Sequence, residues 1–97
     1  MENKNVKYSE KIVAILHKDG VYNGNEYHNY NLVTIIYEND IPVKCDCTSY
    51  KFKKKDFKEV TGFDNPELII NTYIKKTYFD KFGRLCGIDY YTGDDYE

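Results

Sequence analysis

Lysines and aromatic residues are interleaved between Thr48 and Lys58, in the segment TSYKFKKKDFK. Five lysines against one aspartate give this segment a strong positive charge. Single-stranded nucleic acid is held by cations along its phosphates and by aromatic rings that stack on its bases. The pattern therefore predicts a nucleic-acid contact in which Tyr50 stacks on a base. The predicted phosphate ligands are Lys44, Lys51, Lys53, Lys54, Lys55 and Lys58.

The same segment also fits a simpler interpretation. If Lys51 and Lys53 face solvent on a strand, Tyr50 and Phe52 point to the opposite side, towards the core. Runs of charge also commonly lie on a solvated surface without a specific partner. A solvated helix face beside two core aromatics is therefore the alternative.

Tyrosine is the unusual feature of the composition, with eleven Tyr and five Phe but no Trp among 97 residues. Its apolar ring and polar hydroxyl suit a core, an interface or a base-stacking surface. Three tyrosines of the segment Gly20–Tyr37 are predicted to stack on bases from an outer surface: Tyr22, Tyr27 and Tyr37. Packing in a barrel wall, or at the seam of a dimer, is the alternative role for them.

No pattern in the chain matches a catalytic arrangement, so we expect a protein that is not an enzyme and needs no cofactor. Cys45, Cys47 and Cys86, with His17 and His28, raise the question of zinc. Two cysteines separated by a single residue lack the wider spacing of zinc knuckles. We therefore predict no metal site and interpret the cysteines as small apolar core residues.

The net charge of −2 is unevenly distributed. Residues 93–97 contribute −3, which leaves 14 basic against 13 acidic residues in the rest of the chain. This tail is either a solvated terminus or an acidic segment that recruits a protein partner. The length indicates one domain, which we place at residues 10–91 between a flexible polar arm (1–9) and the acidic tail (92–97).

The distribution of apolar residues and cysteines gives an expectation for the compartment. The longest apolar runs are far too short to span a membrane, and the polar N-terminus does not resemble a secretory signal. An odd number of cysteines suits a reducing environment better than a disulfide framework. We therefore expect a cytoplasmic protein without membrane contact.

Turn signals and apolar runs divide the first half of the chain into three predicted strands. Lys11–Lys18 forms the first strand. The second, Tyr27–Tyr37, follows an Asn-Gly pair that favours a tight hairpin turn. In the third strand, alternation begins at Val43 and extends to about residue 53.

Helical spacing replaces this alternation from Lys53 to Val60, and a glycine at position 62 ends the predicted helix. A second short helical turn begins at Asn65-Pro66. Tyr73–Phe79 and Arg84–Tyr91 then form a closing hairpin. The predicted fold is therefore mainly β, a five-stranded OB-like Greek-key barrel with a short helix between strands 3 and 4. A five-stranded sheet of another topology with one packed helix is the alternative.

Three stretches carry a resemblance to a known family: Gly20–Gly24 leading into Tyr27–Leu32, Val43–Cys45, and Thr77–Arg84. In these stretches the chain resembles small OB-fold proteins of phages and mobile elements, including single-stranded-DNA-binding proteins of the filamentous-phage gene V type. The resemblance implies single-strand binding on the barrel face, dimerisation and no cofactor. Two features depart from the family: the chain as a whole is acidic, and it contains a single arginine.

Two functions are therefore predicted. The first is a homodimeric single-stranded-DNA-binding protein of DNA replication, with low sequence specificity. The second is a phage- or plasmid-encoded protein-interaction module, an inhibitor or assembly factor, that meets a partner through its tyrosine surface or acidic tail. Whether the lysines of residues 44–58 share a face with the hairpin tyrosines decides between them.

Overall fold

The computed structural model describes residues 7–92, and its secondary structure is mainly antiparallel β. The strands are β1 (Tyr8–Tyr22), β2 (Asn25–Glu38), β3 (Ile41–Asp46), β4 (Lys51–Lys53), β5 (Ile74–Phe79) and β6 (Leu85–Tyr90). One α-helix, α1, spans Phe57–Thr61, and 3-10 turns cover Lys54–Asp56 and Pro66–Ile69. The predicted acidic tail from residue 93 onward and the first six residues of the predicted arm lie outside the described residues.

A long hairpin of β1 and β2 dominates the molecule. Asn23 and Gly24 both have positive φ, at 53° and 79°, as the predicted tight turn requires. Both strands are longer than predicted, and pairing runs from Tyr8 with Glu38 to Tyr22 with Asn25. Since a strand rises about 3.4 Å per residue, β1 spans about 50 Å. It therefore covers most of the 57 Å long axis, and much of the hairpin extends beyond the core.

The third predicted strand is interrupted. β3 pairs with the C-terminal half of β2, and β4 pairs with the N-terminal half at residues 29–31. Between them, the Asp46 carboxylate accepts hydrogen bonds from the backbone N–H groups of Thr48 (3.1 Å) and Ser49 (2.9 Å). This local turn diverts the chain, so the prediction of one continuous strand to residue 53 is wrong.

The predicted helix is shorter than its sequence pattern and starts as a 3-10 turn. It ends as predicted at Gly62, whose φ is 82° and whose N–H donates to the Lys58 carbonyl at 2.8 Å. The second predicted helical turn is a single 3-10 turn, Pro66–Ile69. The side chain of Asn65 caps it by accepting the Glu67 N–H at 3.0 Å.

The two sheets do not close into a barrel. The β5–β6 hairpin meets β1 at one bridge, between Lys11 and Tyr73, supported by backbone hydrogen bonds of Ile12 with Asn71 and Thr72. Closure would require the last hairpin to pair along both free edges of the first sheet. Within residues 7–92 it makes only this bridge. The order of elements is as predicted, a three-stranded meander, a short helix and a hairpin, but the closed barrel is absent.

The core lies where the helix and the second sheet cover one face of the first sheet. Tyr30 of β2 makes edge-to-face ring contacts with Phe52 at 5.9 Å and Phe57 at 5.8 Å. The buried apolar side chains are Ile12, Leu32, Phe52, Phe57, Val60, Ile69, Ile74 and Leu85. This packing fixes which face of β2 is inside: Tyr30, Leu32 and Thr34 point to the core. Residues 7–92 contain no helix long and apolar enough to cross a membrane.

Candidate nucleic-acid interface

Strand register places two of the predicted lysines on the open face of the first sheet. In an antiparallel pair, directly opposed residues share a face. Phe52 opposes Tyr30 on the core side. Lys51 and Lys53 therefore project to the other side, opposite Asn31 and Asn29. The same register adds a lysine that is not among the predicted phosphate ligands, because Lys18 of β1 opposes Asn29.

Two of the predicted tyrosines lie on this same face. Tyr27 opposes Gly20, and Tyr22 opposes Asn25 beside the turn. Tyr22 is 73% exposed and Tyr27 is 42% exposed. The Tyr27 ring lies directly over Gly20, where a Cβ atom would approach the phenol carbon to 2.6 Å. One side of the ring is thus supported by the strand. We call this surface the lysine–tyrosine face: Lys18, Tyr22, Tyr27, Asn29, Asn31, Lys51 and Lys53.

The two faces of the hairpin carry opposite charges. By strand register, residues 16–31 and 51–53 place no carboxylate on the lysine–tyrosine face. Asp19 and Glu26 belong to the opposite face. At the edge of β2 a cavity of about 320 Å³ is lined by Tyr27, Asn29, Lys53 and Lys55, together with Glu26 and His28. Lys55 is exposed and borders the face from the 3-10 turn.

The opposite face carries a polar network that ties the hairpin to the core. The Lys54 ammonium donates to a carboxylate oxygen of Asp19 and to Nδ1 of His17, at 2.9 and 2.8 Å. It also lies 5.2 Å from the Tyr30 ring centroid. Lys54 is consequently held in this network, with its side chain only 24% exposed, and separated from Lys51 and Lys53 by the sheet. This differs from the exposed position that a phosphate ligand needs.

Asp19 is the centre of this network. Its other contact is with Nδ1 of His28, at 2.9 Å. The hydrogen bonds from Lys54 and then from His28 lower the pKa of Asp19 below its usual value. The same carboxylate raises the pKa of His28, with a smaller contribution from Glu26. The network therefore favours the charged form of both groups.

The other predicted residues do not join the lysine–tyrosine face. Lys44 opposes Ile36 and lies on the side of Thr34 and Leu32, remote from Lys51 by register. Lys58 forms an exposed ion pair with Asp64 at 2.9 Å. Such pairs contribute little to stability, and this one engages the charge only loosely.

Tyr37 and Tyr50 also lie apart from this face. Tyr37 points to the same side of β2 as Tyr27 but lies ten residues further along the strand, where the Lys11 ammonium is 5.6 Å from its ring centroid. The Tyr50 hydroxyl donates to Glu10 at 3.0 Å, and its ring stacks on Phe79 at 6.1 Å. Burial, followed by the Glu10 charge, raises the pKa of Tyr50 strongly. Tyr50 therefore packs on the core, as in the simpler interpretation of its segment.

The cysteines correct a further expectation. Cys45, Cys47 and Cys86 are all free and exposed, so the prediction that they fill the core is wrong. Cys45 opposes Ile35, on the face of the sheet that the helix does not cover. Among residues 7–92 no group of three or more His, Cys, Asp or Glu side chains is placed to hold a metal ion.

These features describe a mainly β protein of two antiparallel sheets. Its long β1–β2 hairpin extends beyond the core and carries lysines on one face and carboxylates on the other. The chain matches no protein-family model, no curated protein and no solved structure. The resemblance to phage single-strand binders accordingly stays a prediction, and the lysine–tyrosine face is the feature of the structure that bears on function.

Proposed function

We propose that the protein is a non-enzymatic module that binds single-stranded DNA with little sequence preference. The observation that supports this is the lysine–tyrosine face, where Lys18, Lys51 and Lys53 lie beside Asn29 and Asn31 and two exposed tyrosines follow towards the turn. By strand register no carboxylate lies between them on this face. Cations that follow the phosphates and rings that stack on bases are the two components that such binding requires.

Specific residues of this face can provide the cations and the stacking ring. Lys51 and Lys53 are two residues apart on β4, so their side chains leave the sheet about 7 Å from each other. Tyr27 offers a ring supported on one side by Gly20 and partly exposed to solvent. Asn29 adds an amide that can both donate to and accept from a base edge. None of these groups distinguishes one base from another strongly, which favours low sequence preference.

The acidity of the whole chain does not oppose this proposal. All of the excess negative charge lies in residues 93–97, since the rest of the chain has 14 basic and 13 acidic residues. In the outer part of the hairpin Asp19 and Glu26 lie on the opposite face, in contact with Lys54 and His28. Association with a polyanion depends on the local distribution of charge as well as on its sum. The local distribution on the lysine–tyrosine face is cationic.

We also propose an OB-like relationship and a homodimer, of phage or mobile-element type. The order of elements supports the first: a meander, a short helix and a closing hairpin that meets β1. The edge strand β3 supports the second, since Ile41 is 63% and Val43 53% exposed on it. Only β2 pairs with β3 among the described strands. Exposed edges of this kind add a strand from a second chain readily.

A polarisation titration with labelled oligothymidine tests the proposed function. The unaltered protein is expected to bind at low salt and to lose affinity steeply as salt rises, because counterions are released from each neutralised phosphate. An oligomer of about 20 nucleotides exceeds the roughly 4–16 nucleotides that one OB module covers. Absence of binding at low salt would refute the proposal.

The β3 edge also favours the second candidate, a protein-interaction module. An extended segment of another protein can pair with β3 and cover Ile41 and Val43 by strand addition. In that case a Val43→Lys variant loses the partner in a pull-down, and neither the unaltered protein nor the variant binds oligothymidine. Sedimentation of both proteins separates this outcome from homodimerisation, because only a homodimer changes mass in the absence of a partner.

A further inference from the structure

The turn between β5 and β6 holds an aromatic side chain in solvent. Phe82 is 67% exposed. The Asp80 carboxylate accepts the backbone N–H groups of Phe82 and Arg84, both at 2.9 Å, and the Gly83 N–H donates to the Asp80 carbonyl at 3.1 Å. Gly83 adopts a φ of 81°, which glycine reaches without strain. The exposure of Phe82 is thus imposed by a well-bonded turn.

Cations surround this ring. The Lys81 ammonium lies 5.3 Å from the Phe82 ring centroid, and the Arg84 guanidinium lies 5.2 Å from it. On β5, the Lys76 ammonium lies 5.0 Å from the Tyr78 ring centroid. Residues 74–90 contain four cations and two carboxylates.

Both carboxylates of this hairpin are already engaged. Asp80 bonds the turn, and the backbone N–H of Arg84, followed by that of Phe82, lowers its pKa. Asp89 accepts the Tyr78 hydroxyl at 2.6 Å. Arg84 Nε also lies 3.9 Å from Asp80 Oδ2. Four cations against two carboxylates still leave the hairpin with a net positive charge and an exposed ring at its tip.

We propose that this tip, formed by Lys81, Phe82 and Arg84, is a second contact for single-stranded nucleic acid, with Phe82 stacking on a base. The inference rests on the proposed function. A nucleotide supplies a flat π face for the ring and a phosphate for the cations, and so satisfies both features at once. An acidic peptide would satisfy the cations alone.

The tip and the lysine–tyrosine face border one groove. Lys53 and Arg84 both line a cavity of about 270 Å³ between β4 and the start of β6. Asp56, Glu59 and Asp80 also line it, and these carboxylates repel phosphates. A strand that touches both surfaces therefore has Lys53 and Arg84 as its cationic contacts along this groove.

Substitution of Phe82 tests the inference without disturbing the bonds of the turn, which use its backbone. Phe82→Leu removes the ring and keeps an apolar side chain, and Phe82→Tyr restores the ring. Leu68→Ala is the matched control, because Leu68 is 56% exposed on the separate 3-10 turn Pro66–Ile69. Binding is measured by polarisation with an oligothymidine of about 20 nucleotides, longer than the roughly 4–16 that one OB module covers.

We expect F82L to bind about 10-fold more weakly, within the range for loss of one stacked base, and F82Y and L68A to bind as the unaltered protein does. Equal binding by F82L would overturn the second contact while leaving the lysine–tyrosine face supported. Failure of the unaltered protein to bind would overturn both proposals.

Discussion

Replacement of Lys51 and Lys53 by alanine is the sharpest test of the lysine–tyrosine face. Both side chains point away from the core and are exposed, and neither takes part in an ion pair within residues 7–92 that would be lost with it. Since surface substitutions of this kind usually change stability by less than about 0.5 kcal/mol, the double variant is expected to fold normally. Urea denaturation checks that premise before binding is compared.

The expected loss of affinity follows from counterion release. For single strands, each neutralised phosphate contributes about 0.7 to the slope of log affinity against log salt. Loss of two contacts should therefore lower the slope by about 1.4. If the variant and the unaltered protein bind equally at 1 M salt, this difference in slope makes the variant about 25-fold weaker at 0.1 M salt. That loss of affinity corresponds to about 1.9 kcal/mol of binding free energy. The assay is a polarisation titration with oligothymidine at several salt concentrations.

Lys44→Ala supplies the matched control, because Lys44 is an exposed strand lysine on the other side of the same sheet. Each substitution removes one positive charge, as in the double variant. At 0.1 M salt the field of an exposed charge is largely screened beyond about 10 Å, so the loss of Lys44 should have little effect on a ligand bound to the lysine–tyrosine face. Its salt slope should therefore stay close to that of the unaltered protein. Equal slopes for the double variant and the unaltered protein would refute the reasoning, as would a comparable loss in Lys44→Ala.

Three further predictions concern the hairpin and the core. Gly20→Ala should push the Tyr27 ring off its support and weaken oligothymidine binding, while the free energy of unfolding changes by less than about 1 kcal/mol, because the colliding atoms are the far end of a flexible side chain. Retained affinity would show that the supported ring is not needed. The His28 stabilisation is present below the ordinary pKa of 6.5 and is lost as pH rises through the raised folded pKa. NMR titration should find this pKa above its usual value and returned towards it in Asp19→Asn; an unchanged pKa would contradict the ion pair. Leu32→Ala, at a fully buried site, should lower the free energy of unfolding in urea by about 2–5 kcal/mol, and a loss below about 1 kcal/mol would contradict the core assignment.

Features with a local cause were predictable from the sequence. The Asn23-Gly24 turn, the end of α1 at Gly62 and the Asn65 cap each depend on a backbone conformation or side-chain hydrogen bond within a few residues. Local preferences of this kind can be predicted from a few neighbouring residues, without knowledge of tertiary contacts. They were enough to indicate the order of the elements and the mainly β class.

Features with a distant cause were not predictable. The first strand is predicted to end at Lys18, yet β1 continues to Tyr22 because β2 pairs with it and the Tyr27 ring covers Gly20. The exposure of Cys45 depends on which side of the sheet the helix and second hairpin cover. The alternation in sequence shows that Val43 and Cys45 share one face of the strand, but it does not show which face is buried. One local signal was missed, since Asp46 followed by Thr48 and Ser49 is a common side-chain-to-backbone turn.

The period of the β-strand explains how an acidic chain acquires a cationic surface. Alternate residues point to opposite faces, so Lys18 and Asp19, adjacent in sequence, are separated by the sheet. Asp19 then meets Lys54 and His28 on the core side, and Lys18 is left beside Lys51 and Lys53 on the other. Since exposed charges further apart than about 8 Å are largely screened at physiological salt, the composition of each face matters more to a bound polyanion than the sum over the chain. The alternation of faces also explains why the lysines of residues 51–55 do not form a single site. Lys51 and Lys53 belong to the lysine–tyrosine face, whereas Lys54 contacts Asp19 on the opposite face of the hairpin.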